Sequence, residues 1–87
     1  MPKIKKQLEV KNKQGLHARP AALFVQIANK FTSRITVRRD REEVNGKSIM
    51  GILILGAEYG SVILIEAEGE DAHDAITELE KIVVNEE

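Results

Sequence analysis

The apolar residues change period several times along the chain, and each change marks an element. Between residues 3 and 10, Ile4, Leu8 and Val10 fall on one side of a weakly alternating run, with Lys6 out of pattern. That predicts a strand near a sheet edge. The polar stretch Lys11-Asn12-Lys13-Gln14-Gly15 reads as a loop. Leu23, Phe24, Ile27, Ala28 and Phe31 then recur at helical spacing. They predict a helix over residues 18–30, with Pro20 in its first turn, where a missing N–H costs nothing. Ile35 and Val37 alternate with Thr36 and Arg38 in a second strand, and Arg39-Asp40-Arg41 is a turn. Glu42 to Asn45 pairs back as a short third strand before Asn45-Gly46 breaks the chain. Ser48 is placed to cap a short helix holding Ile49, Met50, Ile52 and Leu53. Gly56 and Gly60 bracket a loop. Val62 to Ala67 is almost wholly apolar and β-branched, a central strand with Ile63, Ile65 and Ala67 toward the core. After Gly69, Asp71 is expected to cap a last helix whose stripe is Ala72, Ala75, Ile76, Leu79, Ile82 and Val83.

The order is β-α-β-β-α-β-α. Three helices covering one face of a four-stranded antiparallel sheet make a two-layer, open-faced α+β sandwich. At 87 residues, the chain is expected to form a single domain spanning 1–87. Both long helices must then bury their apolar stripes, because a core of this size is marginal.

Composition sharpens this picture. Aromatics are 3% of the chain, so the core is aliphatic. No cysteine is present, which excludes disulfides, thiolate nucleophiles and Cys-based zinc sites. No run approaches the ~18 apolar residues of a membrane span. Met1 to Lys13 is too polar for a signal peptide, so a cytoplasmic protein is expected. Net charge is −1, which disfavours a globally basic nucleic-acid binder. The charges are nonetheless segregated. Residues 1–41 carry eleven Lys/Arg against Glu9 and Asp40, whereas residues 42–87 carry Lys47 and Lys81 against twelve acids. In a seven-element fold these halves interleave, and the asymmetry becomes one of faces that steers an acidic partner. Arg19 and Lys47 are the expected cations near the site. A chain this small encloses no deep pocket, so a binding surface or a one-residue chemistry is expected.

The run Gly15-Leu16-His17-Ala18-Arg19-Pro20-Ala21 carries that chemistry. It sets a histidine at a loop-to-helix junction. The first N–H groups of a helix lack intrahelical partners and point outward, and with the helix dipole they receive anions. A phosphoryl group on the ring would find those amides and Arg19. The bland alternative is an ordinary helix-start histidine.

This run closely resembles the active-site segment of HPr, the histidine phosphocarrier of the bacterial phosphoenolpyruvate-dependent phosphotransferase system. Asn45-Gly46-Lys47-Ser48-Ile49-Met50-Gly51 resembles the family's regulatory serine and following helix. Ala67-Glu68-Gly69-Glu70-Asp71-Ala72 is similar to its last strand–helix junction. The resemblance implies that His17 accepts a phosphoryl group through Nδ1 from enzyme I and passes it to sugar-specific IIA proteins, with Arg19 as the phosphate partner. It implies an intermediate of phosphoryl transfer rather than a self-sufficient catalyst, with no cofactor and no metal. It also implies that Ser48 is a regulatory site for a serine kinase/phosphorylase. Such a carrier needs no membrane insertion or nucleic acid, and a monomer is expected. The partner surface is expected to include Ala18, Ala21, Phe24, Ile49, Met50 and Leu53, although some residues of the first helix must face the core. A methionine in such a patch repacks easily for several partners.

Ile54, Glu58-Tyr59 and the apolar Val62 and Leu64 depart from the commonest family pattern, which leaves a near alternative: a nitrogen-related regulatory paralogue using the same His17 chemistry. Asn45-Gly46-Lys47-Ser48 favours the sugar system. A single-strand nucleic-acid module would carry aromatics on its strands, and none is there. A phosphorylation-dead adaptor would not need both His17 and Arg19. His73, among Glu70, Asp71 and Asp74, reads as a solvated helix face rather than a metal site.

Overall fold

A computed structural model describes residues 1–86. The elements follow the expected order: β1 (Lys3–Glu9), α1 (Ala18–Ala28), β2 (Arg34–Arg39), β3 (Glu42–Asn45), α2 (Ile49–Leu55), β4 (Val62–Glu68) and α3 (Ala72–Val83). The four strands form one antiparallel sheet in the order β1-β4-β2-β3. The most apolar strand, β4, therefore lies inside the sheet, and the polar β1 and β3 are its edges. Ile63 pairs with Leu8, Ile65 with Val37, and Ala67 with Ile4 and Ile35. Because side chains alternate across a strand, this register puts all of these on the face that the three helices cover.

Lys6 shares that face, opposite Ile65. Its place on an edge strand explains the break in pattern. The stem lies along the sheet, and Nζ reaches Glu80 of α3 at 2.6 Å. On the other face Lys3 and Lys5 approach Glu66 at 3.2 and 3.7 Å. The basic first half and the acidic second half are thus interleaved on both faces of the sheet. As exposed ion pairs, each contributes at most about 1 kcal/mol.

The buried stripe of α3 is the expected one: Ala72, Ala75, Ile76, Leu79, Ile82 and Val83. In α1 the buried residues are Pro20, Ala21, Phe24 and Ala28, spaced to form one helical face. Ala21 and Phe24 are fully covered. They belong to the core, and the expectation that they line a partner surface is corrected. On α2, Ile52 and Leu55 are buried, and Gly56 ends the helix in a left-handed conformation at φ 60°.

Asp71 holds the residue position before α3, but its side chain makes no cap bond to that helix. Its Oδ2 instead accepts from the Thr32 amide at 2.9 Å, and its Oδ1 from the Ser33 amide at 2.9 Å. The Thr32 and Ser33 hydroxyls also donate to it. The carboxylate is occupied in clasping the α1–β2 loop to the start of α3. The Ser33 hydroxyl first, then the Thr32 amide, lower its pKa from 3.8 to about 2. No helix among the described residues is long and apolar enough to cross a membrane.

Candidate functional site

His17 occupies the residue position before α1, with extended backbone (φ −119°, ψ 162°) and no cap bond from its side chain. Serine or aspartate there would fold back onto the first-turn amides. Imidazole does not, and among the described residues no acceptor takes the Ala18 or Arg19 amide. Pro20 has no amide, and the Ala21 amide reaches the His17 carbonyl at 3.4 Å. The helix start therefore keeps two N–H donors that no acceptor among the described residues takes, beside an exposed ring. Ala18 has φ 44°, a left-handed conformation costly for a residue with a β-carbon, and it lies directly beside the histidine.

Two loop contacts hold this corner. The Leu16 amide donates to the Ala57 carbonyl at 2.7 Å, and the Leu16 side chain is fully buried. Gly15 turns the chain at φ 68°, and a β-carbon there would fall 2.6 Å from the Ala57 oxygen. Only glycine permits this approach. The ring of His17 lies against the end of α2: a β-carbon on Gly56 would come within 4.0 Å of its Cε1.

Arg19 is exposed on the first turn of α1. It lines an open hollow of about 430 Å³ with Gln14, Pro20, Leu23 and Lys81, to which His17 does not contribute. Lys47 is not at this corner. Its Nζ donates to the Phe31 carbonyl at 2.6 Å, and its own carbonyl accepts from Asn29 Nδ2 at 3.1 Å. These bonds place it past the far end of α1, roughly 16 Å from the histidine at 1.5 Å per helical residue. The cation that does approach is Arg39, whose Nη1 donates to the Leu55 and Gly56 carbonyls at 3.1 and 2.7 Å. Sequence reasoning missed it, because Arg38-Arg39-Asp40-Arg41 offers three arginines and no spacing that selects one.

Ser48 caps α2 as expected: its Oγ accepts from the Gly51 amide at 3.0 Å. It stands at the opposite end of α2 from Gly56, so one short helix joins the serine to the histidine corner. Ala18, Ile49, Met50 and Leu53 are all exposed. Ile54, at 63%, is as exposed as Met50 at 62%, and it enlarges that apolar surface. His73 is exposed on α3, and among the described residues no three metal-ligating side chains converge.

Fold and site together define a small α+β protein with an exposed histidine at the uncapped start of its first helix. Comparison with known proteins narrows the class. Residues 4–85 match the family described as PTS HPr component phosphorylation site. The chain is 53% identical over 76 residues to the HPr-like protein Crh of Halalkalibacterium halodurans, covering 87% of this chain and 90% of that one. Its fold superposes on the phosphocarrier protein HPr of Bacillus anthracis with a TM-score of 0.91 at 48% identity, covering 93% and 96% of the two chains. The Bacillus subtilis catabolite repression protein Crh, described as a dimer with a swapped domain, matches at a TM-score of 0.76 and 44% identity over 95% of each chain. The chain belongs to the HPr family of phosphocarriers, which works with proteins of the phosphotransferase system. With a swapped dimer among its structural relatives, the expected monomer has no support.

Proposed function

We propose that this protein carries a phosphoryl group on His17 between enzyme I and sugar-specific IIA proteins. The observation that carries the reading is an exposed imidazole at an uncapped helix start, with the Ala18 and Arg19 amides left open. In the transfer, Nδ1 of the neutral ring attacks phosphorus. The bond between phosphorus and enzyme I breaks, and its electron pair stays on the enzyme I atom that held the group. That atom takes up a proton as His17 sheds its Nε2 proton, so charge and protons balance. The open amides and the positive end of α1 face the transferring group. Arg19, flexible and exposed, closes on the phosphoryl oxygens. Each partner supplies the remainder of the site, which fits a corner with no enclosing pocket. Ala18 and the Ile49, Met50, Leu53 and Ile54 surface form the docking face.

Incubation with enzyme I and phosphoenolpyruvate tests this. One acid-labile phosphoryl group per chain is expected, and none on His17→Ala. Wild-type protein that forms no adduct with a cognate enzyme I contradicts the reading.

A second, regulatory reading is favoured by the similarity to Crh. In it, Ser48 is phosphorylated by a serine kinase. The added charge of about −1.5 to −2 enters beside the apolar docking face and weakens association with enzyme I. Ser48→Asp should then accept phosphate from enzyme I more slowly than wild type, and an unchanged rate would sink the idea.

A further inference from the structure

Arg39 ends β2 half-buried, and its guanidinium is committed to the two carbonyls that finish α2, those of Leu55 and Gly56. The last carbonyls of a helix have no intrahelical donor, and the dipole gathers about half a negative charge there. The neighbouring arginines do nothing comparable: Arg38 is exposed, with Nε 3.3 Å from the Asp40 carbonyl, and Arg41 is exposed in the turn. Gly56 is also a neighbour of the His17 ring: a β-carbon on it would stand 4.0 Å from Cε1. A single residue thus separates a fixed guanidinium from the imidazole. The adjacent Ala57 carbonyl is held in turn by the Leu16 amide.

The chemistry makes this placement consequential. A phosphoryl group arriving on His17 brings two negative charges to a corner where α2 presents its negative end. α1 meets it with amides and α2 with carbonyls, so the second helix works against the reaction unless its carbonyls are neutralised. We propose that Arg39 is a positioning residue for phosphoryl transfer at His17. It pins the 55–57 corner that the ring rests on, and it cancels the negative end of α2 facing the incoming dianion. The inference rests on the reading of His17 as the phosphoryl acceptor. It adds a second arginine, from a different element, that acts through Gly56 and does not touch phosphate.

Phosphoramidate, a small donor that needs no protein docking, separates the site from the docking face. In that reaction the donor P–N bond breaks and the ring N–P bond forms. Ammonia leaves with the bonding pair and takes up the proton the ring gives up. Wild type, Arg39→Gln, Arg39→Lys and Arg38→Gln are compared for their rate of adduct formation with phosphoramidate. Their kcat and KM with phosphorylated enzyme I are measured alongside. Arg39→Gln should lose roughly tenfold in rate with both donors, with KM for enzyme I little changed. Arg39→Lys, which keeps the charge and a donor, should recover most of the loss, and Arg38→Gln should match wild type. The proposal is overturned by wild-type rates in Arg39→Gln, by a Lys variant no better than Gln, or by an effect confined to KM. Wild-type protein that accepts nothing from either donor overturns the reading of His17 itself, and Arg39 with it.

Discussion

Two helix starts in this protein have the same backbone role and opposite fates. His17 before α1 and Asp71 before α3 both leave their helix without a side-chain cap. Asp71 turns away to take four hydrogen bonds from Thr32 and Ser33, and its carboxylate joins two segments 38 or more residues apart. His17 takes none among the described residues, and its ring stays at the surface. Ser48, before α2, does the ordinary thing and caps. A side chain missing from its cap can thus mean a polar group recruited for tertiary structure or one held in reserve for chemistry. What separates the two is whether its polar atoms are already bonded.

The contrast breaks most sharply at His17. His17→Ala should abolish the phosphoryl adduct, while stability in urea stays within about 0.5 kcal/mol, as for a surface residue without partners. A large loss of stability would mean that the ring is structural after all. Gly15→Ala strains a φ of 68° and forces a β-carbon onto the Ala57 oxygen. It should cost about 1–3 kcal/mol in a denaturation experiment and slow phosphoryl acceptance by displacing the loop before His17. Ser48→Ala removes a cap bond and should cost about 1 kcal/mol without affecting His17 chemistry with a small donor.

The last effect is present at neutral pH and fades only in acid. Asp71 is lowered to about 2 in the folded protein, against 3.8 ordinarily. Its contribution is therefore complete above about pH 4 and is lost as pH falls through about 2. Asp71→Asn should be less stable than wild type at neutral pH, and the gap should narrow below pH 4. A gap independent of pH would show that the clasp does not depend on the carboxylate's charge.

Much of this was legible in the sequence, because the elements differ in period. The apolar, β-branched run of Val62 to Ala67 and the stripe of α3 identify both elements. Sheet order was legible only in part: the polar first strand was expected at an edge and Val62 to Ala67 inside, as found, but which strands become neighbours depends on pairings that no local pattern encodes. His17, Arg19 and Ser48 stood out through the Gly15–Ala21 and Asn45–Gly51 runs. Phe24 and Ala21 were placed on the partner surface because the orientation of α1 about its axis is fixed only once the sheet is present. Asp71 was misread as a cap for a related reason. Aspartate before a helix usually bonds locally, and here a distant loop offers four donors. The role of Arg39 depends on a contact across 16 or 17 residues that composition cannot reveal.

The central claim concerns one nitrogen of one of two histidines. Protein labelled with ¹⁵N in its histidine rings, phosphorylated by enzyme I and phosphoenolpyruvate, can be read by ¹⁵N–³¹P coupling. The account predicts a single coupled ring nitrogen, Nδ1 of His17, with His73 unmodified. Coupling at His73, or a phosphorylated protein with no coupled ring nitrogen, would contradict it.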